Sequence, residues 1–216
     1  MFLGHFGLAL AAKKINSKPS LGSTMMAAQF VDLLWPLLLL LNIERVTVEP
    51  GNTVVTPLNF EFYPYSHSLV AGIIWAVLFG LTFYLLKRDI WSAVLLGGLV
   101  VSHWLLDLVV HRPDLPLWFS DEHKVGLGLW NSVTATVIAE MVLFFSGVFI
   151  YASTTSAKNR VGRFAYWGLI IFLLAVEVSN LFSPPPPNAT VIGYVGLSQW
   201  LIIAWAYWID RNRVDS

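Results

Sequence analysis

Long apolar runs limit what this chain can fold into more than any other feature. Six of them, each about 20 residues long, are separated by polar segments, and a shorter apolar segment, 2–12, precedes them; they cover roughly 22–43, 67–86, 90–111, 130–153, 164–182 and 191–209. A helical run of this length matches the ~30 Å hydrocarbon core of a bilayer. We therefore predict an all-α, polytopic transmembrane bundle of six spans, with a short half-spanning helix in front, forming one domain over 1–216.

The composition agrees with a membrane protein and excludes several function classes. Hydrophobic residues make up 56% of the chain and charged residues 12%, whereas soluble domains carry about 25% charged residues. Because the chain has no cysteine, disulfides, thiolate nucleophiles and cysteine zinc sites are excluded, and any metal must be held by His, Asp or Glu. A formal net charge of zero without a basic patch argues against nucleic acid as a partner.

The distribution of Lys and Arg predicts an orientation. Ten of the 13 cationic residues lie in the segments 13–18, 87–88, 158–163 and 211–213, and the other three, Arg45, Arg112 and Lys124, lie in the alternate loops. The positive-inside rule then places the C-terminus on the cytoplasmic side of the membrane. We expect that membrane to be a bacterial inner (plasma) membrane, with the site facing the extracytoplasmic side. The 44–66, 112–129 and 183–190 loops become extracytoplasmic, and the β-branched residues of 46–55 around a Pro-Gly-Asn turn predict a small hairpin.

Three ionisable residues share one face of the third predicted span. His103, Asp107 and His111 stand at i, i+4 and i+8, so a helix places them on one stripe. An ionisable group at membrane depth costs a few kcal/mol unless it is paired, bound to a metal or facing water. Two imidazoles and a carboxylate are also good zinc ligands, so all three are candidate metal ligands.

Three further residues are candidate ligands. His5 and Asp32 lie within apolar segments, and His67 opens the second span in a Ser-His-Ser setting. At about 1.5 Å of rise per residue, Asp32 lies ~15 Å and His103 ~20 Å above the inner ends of their helices, whereas His67 would lie ~30 Å up. A shared site therefore requires the segment 63–68 to dip into the bundle. Pro64 favours such an irregular entry, which is allowed at depth where it lines a cavity.

The order of these residues resembles that of a known family. Gly4-His5, Asp32, Ser66-His67-Ser68 and His103-x-x-x-Asp107 resemble the YdjM-like, LexA-regulated family of predicted membrane-bound metal-dependent hydrolases. That family is distantly similar to the superfamily of zinc-dependent phospholipase C and single-strand nucleases. The resemblance implies one metal held by Asp32, His67, His103 and Asp107, and a second held by His5 and a bridging Asp107. The superfamily's downstream His-x-x-x-Glu pair is not matched, because Thr136 precedes Glu140 at that spacing.

We therefore expect a metal-dependent hydrolase with one or two divalent ions, zinc foremost, acting through an activated water. Asp107 and Glu140 are the candidate catalytic residues, with Glu140 able to move protons. By analogy with the phospholipases, the expected substrate is a lipid phosphoester, with membrane lipids as partners. Two alternatives remain open: a proton- or metal-coupled transporter, and a non-catalytic membrane protein with a metal-stabilised core.

Single residues also have structural explanations. His103 and Asp107 could satisfy only each other, His111 could cap a helix end, and His123 lies in a polar loop. Glu140 and Glu177 could be protonated, hydrogen-bonded carboxyls inside the membrane. The Trp residues belong mostly to the interface belts and the core.

The charge asymmetry makes a testable prediction about topology. A reporter fused after Ser216 should read as cytoplasmic, and one inserted near Asn52 should read as extracytoplasmic, because cationic loops remain on the cytoplasmic side. A paired alkaline phosphatase and fluorescent-protein fusion set measures both positions. The reverse pattern would contradict the orientation and place the site on the cytoplasmic side.

Overall fold

The computed structural model describes residues 1–120 and 122–216, which are mostly helical. The helices are α1 (Leu3–Ile15), α2 (Leu21–Ala28), α3 (Phe30–Leu40), α4 (Pro64–His67), α5 (Leu69–Lys87), α6 (Ile90–Val110), α7 (Val133–Thr154), α8 (Arg160–Phe182), α9 (Ala189–Leu197) and α10 (Gln199–Arg211), with a 3₁₀ turn at Leu129–Asn131. Short antiparallel pairs join β1 (Arg45–Val48) to β2 (Leu58–Phe62), β3 (Leu115–Pro116) to β4 (Lys124–Val125), and β5 (Thr155–Ala157) to β6 (Arg213–Asp215).

The long helices have the length and composition of membrane spans. Within residues 1–120 and 122–216, five candidates are found, namely α5, α6, α7, α8 and the continuous pair α9 and α10. The pair α2 and α3 makes a sixth if it is counted as one span, although its two halves are bent by 55°. Large apolar side chains such as Trp91, Phe149 and Phe182 point outward and are mostly exposed. The predicted all-α architecture is therefore confirmed as a mostly helical chain with five or six candidate spans.

The first predicted span is broken at Gln29. The Ser20 side chain caps α2 by accepting a hydrogen bond from the Ser23 amide, and α2 ends at Ala28, after which α3 starts at Phe30. Pro36 lies inside α3 rather than at the break. The break places Asp32 in the first turn of α3, where the helix dipole favours a carboxylate.

Helix α1, which was predicted only as a short helix in front of the spans, is part of the core. It packs lengthwise on α7, and Leu3, Phe6 and Leu10 are fully buried. The two helices approach closely because glycines face each other: a Cβ on Gly147 would collide with the carbonyl oxygen of Gly7. Small residues allow such backbone contact between membrane helices, and this contact fixes the depth of α1.

The predicted hairpin is present, but its second strand was placed too early. Strand β2 begins at Leu58 instead of Thr53. In the segment 49–57 the Thr53 hydroxyl accepts hydrogen bonds from the amides of Val55 and Thr56. Side-chain bonds of this kind compete with a strand ladder, so the β-branched residues that suggested a strand form the connecting loop.

The close contact between α1 and α7 predicts a position-specific effect of one methyl group. Gly147→Ala should destabilise the protein by about 1–3 kcal/mol, because the backbone of Gly7 cannot move aside cheaply. Gly98→Ala is the matched control, since no atom of the described residues 1–120 and 122–216 lies within 4 Å of its added Cβ. The thermal unfolding midpoint in detergent measures both. Equal midpoints for the two variants would contradict the packing described here.

Candidate metal centre

Five of the six predicted ligands meet inside the bundle. His5 comes from α1, Asp32 from α3, His67 from α4, and His103 and Asp107 from α6. They form two groups whose potential ligand atoms lie within 4.8 Å of one another: one of His5, His103 and Asp107, and one of Asp32, His67 and His103. Groups of this kind could hold a metal ion. His103 belongs to both.

Asp107 joins the two groups through its two oxygens. Its Oδ1 lies 3.1 Å from His5 Nε2 and accepts a hydrogen bond of 2.7 Å from the α-ammonium group of Met1. Its Oδ2 lies 3.2 Å from His103 Nε2 and 3.9 Å from His67 Nε2. The family resemblance implied that Asp107 bridges two metals, which stays a prediction; the two oxygens face different partners. The side chain is 3% exposed, so solvent contributes little to its charge balance.

Asp32 supplies the second carboxylate of the site. Its Oδ1 lies 3.2 Å from His67 Nε2 and 3.6 Å from His103 Nε2. His67 reaches this depth because Tyr63 to Ser68 turns inward and Pro64 starts the short helix α4, which leaves the His67 side chain 7% exposed. The inward dip predicted for this segment is confirmed.

The tautomer of His103 follows from its contact with the broken helix. Its Nδ1 lies 2.7 Å from the carbonyl oxygen of Ala28, the last residue of α2. A carbonyl only accepts hydrogen bonds, so Nδ1 must carry the hydrogen. In the neutral ring, Nε2 then presents a lone pair to the carboxylates of Asp32 and Asp107.

His67 is oriented in the same way by two further residues. Its Nδ1 lies 2.7 Å from Ser66 Oγ, and the Ser66 hydroxyl donates to Glu44 Oε2 at 2.6 Å. Because the one hydroxyl hydrogen is directed at Glu44, Ser66 accepts the hydrogen of His67 Nδ1. Glu44 Oε1 also accepts from the amides of Tyr65 and Ser66. Burial raises the pKa of the Glu44 carboxyl, and the hydrogen bonds from Ser66 oppose that rise.

These contacts give the site its preference for a cation. Both imidazoles commit Nδ1 elsewhere, so that in the neutral rings two Nε2 lone pairs would face the two carboxylates at 3.2 to 3.9 Å. Acceptors at such distances repel unless a proton or a metal cation lies among them, and the α-ammonium group of Met1 supplies one positive charge, at Asp107 Oδ1. Partners on the far nitrogen that fix the ring are typical of metal-binding histidines. The donor set therefore fits a divalent metal.

His111 belongs to neither group. Helix α6 ends at Val110, and His111 is its C-cap with extended backbone angles, so its ring leaves the stripe shared by His103 and Asp107. Its Nδ1 lies 2.9 Å from Asp114 Oδ1 and 3.3 Å from the Tyr63 hydroxyl. Tyr63 donates to the Asp114 carbonyl oxygen, and burial raises the pKa of its phenol well above the ordinary value.

Glu140 also lies outside both groups, where it anchors helix α1. Its oxygens accept hydrogen bonds from the amides of Phe2 at 2.9 Å and Gly4 at 2.8 Å. These amides have no partner within the helix, so the carboxylate acts as a cap. Because His5 follows Gly4 directly, Glu140 positions His5. A part for Glu140 in proton transfer stays a prediction.

Two contributors were missed by the sequence reasoning. Glu44 sits in a predicted loop yet is 1% exposed, and the carbonyl of Ala28 becomes available only because the helix breaks. For Glu44, the only available signal was the hydroxyl of Ser66 next to His67, which needs a hydrogen-bond partner. For the Ala28 carbonyl there was no signal, because position 29 is a glutamine and not a glycine or proline that would indicate a helix break.

Comparisons with protein-family models, with curated proteins and with solved structures give no match for this chain. The resemblance to the YdjM-like hydrolases therefore stays an expectation based on the residues quoted for it. Support for a metal site comes from the geometry of the His and Asp side chains.

The ligand geometry predicts which variants lose metal. His103→Ala and Asp107→Asn should each lower the metal content of the purified protein far more than His123→Ala, because the first two remove donors and His123 is an exposed loop residue. Elemental analysis after dialysis against zinc measures the content per chain. Equal losses in all three variants, or a wild type without metal, would contradict the assignment.

Proposed function

We propose that this chain is a membrane-embedded, metal-dependent hydrolase that acts on a lipid phosphoester, with zinc as its metal. The observation that carries the proposal is the two groups around His103, buried except for the partly exposed Asp32, in which two oriented imidazoles face two carboxylates. An intramembrane cluster of ionisable side chains requires a functional explanation because each group is costly to bury in lipid.

Asp32, His67, His103 and Asp107 would hold the ion. Imidazole nitrogens and carboxylate oxygens are common zinc ligands. Because His103 has only Nε2 free, it can serve one ion at a time, so these four residues favour a single main site. A zinc ion bound there would lower the pKa of a bound water and stabilise charge that develops on a phosphoryl or carbonyl oxygen.

His5 supports the Asp107 carboxylate from the side of helix α1. Its Nε2 faces Asp107 Oδ1 at 3.1 Å, so the neutral ring donates from Nε2 to that carboxylate. Its Nδ1 is buried and has no hydrogen-bond partner among residues 1–120 and 122–216. The Nε2 hydrogen bond of the neutral ring therefore helps to hold Asp107 in position. His5 also stacks on His103, with ring centroids 3.6 Å apart.

The lipid substrate rests on the setting of the site and on analogy. The His and Asp residues lie among helices whose outer faces are apolar, so a membrane lipid can approach along the bundle. The resemblance to phospholipases supports a phosphoester as the bond that is cleaved. Access from the extracytoplasmic side of a bacterial plasma membrane follows from the charge asymmetry of the loops.

One observation favours a transporter as the second candidate. The break at Gln29 divides a possible span into halves bent by 55°, and the freed Ala28 carbonyl and Asp32 lie beside it. Interrupted helices near ion sites are typical of secondary transporters. Those transporters carry the feature in two matching repeats, whereas the described residues contain one such bent pair. We therefore rank hydrolysis first.

Hydrolysis is tested with zinc-loaded protein and a panel of lipid-phosphate, ester and amide substrates. We expect phosphoester cleavage that chelation abolishes and added zinc restores. Asp32→Asn should lower kcat/KM by about 100-fold or more, because it removes a ligand charge, whereas His123→Ala should leave it unchanged. Bound metal without product from any substrate would contradict the proposal, and metal-dependent flux into sealed vesicles would then support the transporter.

A further inference from the structure

A cavity of about 440 Å³ lies beside the metal centre, between helices α3, α7, α8 and α9. The loop between β1 and β2 and the proline run 184–186 form part of its wall. Its polar lining includes Glu140, Glu177 and Gln199, and its aromatic lining includes Trp35 and Trp130. Glu177 and Gln199 belong to neither group of candidate metal ligands, so the metal centre does not explain why they line this cavity.

Glu177 is a buried carboxyl without a partner. The residue is 4% exposed, and among residues 1–120 and 122–216 nothing donates a hydrogen bond to it or forms an ion pair with it. Glu140, on the same cavity, has both oxygens occupied by amides of the α1 N-terminus. Burying an unpaired carboxylate is costly, so Glu177 is suited to a ligand that supplies positive charge and hydrogen-bond donors.

A second buried acceptor lines the same cavity. Gln199 Oε1 is buried and has no hydrogen-bond partner in the described part of the chain. A ligand that donates to both Glu177 and Gln199 would satisfy them together. Trp35 and Trp130 add an aromatic lining to the same cavity, and aromatic rings are compatible with a bound cation. One free carboxylate, one amide oxygen and aromatic walls suit an ammonium group better than a divalent metal, which prefers several oxygen ligands.

The cavity adjoins the metal centre through shared residues. Trp35 lines it and packs edge-on against His67, with ring centroids 6.2 Å apart. Phe2 also lines it, and the preceding residue, Met1, bonds to Asp107. Glu177 lies five residues before the end of α8 at Phe182, or about 7.5 Å along the axis. That depth is close to the level of lipid headgroups.

We propose that this cavity binds the ammonium group of an amine-bearing phosphoester, with Glu177 as its charged partner. The assignment rests on the proposed hydrolase and gives it a substrate class, a phospholipid with a primary amine in its headgroup. The ammonium lies in the cavity while the phosphoester is presented to the neighbouring His and Asp residues. Trp35 and Phe2 form the wall between the two parts of the site.

Binding is measured with the full-length chain in detergent, in the presence of a chelator so that no turnover occurs. Isothermal titration compares a short-chain phosphatidylethanolamine with a phosphatidylglycerol of the same acyl chains. We expect the amine lipid to bind at least tenfold more tightly, which is the range of one charge-assisted hydrogen bond. Free phosphoethanolamine is the third ligand. If it binds more weakly than the lipid, the natural ligand is a membrane phospholipid; if it binds equally well, the natural ligand is the soluble headgroup.

Variants separate the cavity from the metal centre. Glu177→Gln should abolish the tenfold preference, and Gln199→Leu should reduce it, while the metal content of both stays at the wild-type level. Glu61→Gln, at an exposed carboxylate of β2, should keep the full preference. Equal binding of the two lipids by the wild type, or an unchanged preference in Glu177→Gln, would overturn the inference. Ammonium preference without any hydrolysis would instead overturn only the proposed hydrolase.

Discussion

The placement of two carboxylates inside an apolar helical bundle is the constraint on which the rest of this structure depends. Asp32 and Asp107 face imidazole nitrogens at 3.2 to 3.9 Å, in surroundings where an uncompensated charge costs several kcal/mol. Hydrogen bonds from several parts of the chain orient the two histidines that face these carboxylates. The break after Ala28 supplies a carbonyl to His103, and the Glu44 carboxylate with Ser66 orients His67. Both imidazoles therefore direct Nε2 toward the carboxylates, in an arrangement that could hold a metal cation.

The features with a regular spacing could be predicted from the sequence. Apolar runs gave the helices to within a few residues, because lipid requires every span to satisfy its own backbone. The four-residue spacing put His103 and Asp107 on one face of α6, and Pro64 indicated that His67 could enter the bundle. These inferences needed only local geometry, since helix periodicity and the rigidity of proline act within a few residues of the chain.

Features that depend on distant contacts could not be predicted in the same way. His111 fits the periodicity, but α6 ends one residue earlier and its ring turns toward Asp114. Glu44 is polar and lies in a loop, so only the fold shows that it is buried against Ser66. For Glu140, only the fold shows that its oxygens accept hydrogen bonds from the amides that begin α1; its part in proton transfer stays a prediction. In each case the partner lies elsewhere in the chain or beyond a helix end.

The central claim is that one cation lies among Asp32, His67, His103 and Asp107. Anomalous diffraction at the zinc edge, from crystals of the zinc-loaded protein, tests it most directly because it locates the ion without assuming any activity. The account predicts a peak bounded by the Nε2 atoms of the two histidines and by oxygens of both carboxylates. A fully loaded crystal with no peak there, or with zinc bound only at His111 or His123, would contradict it.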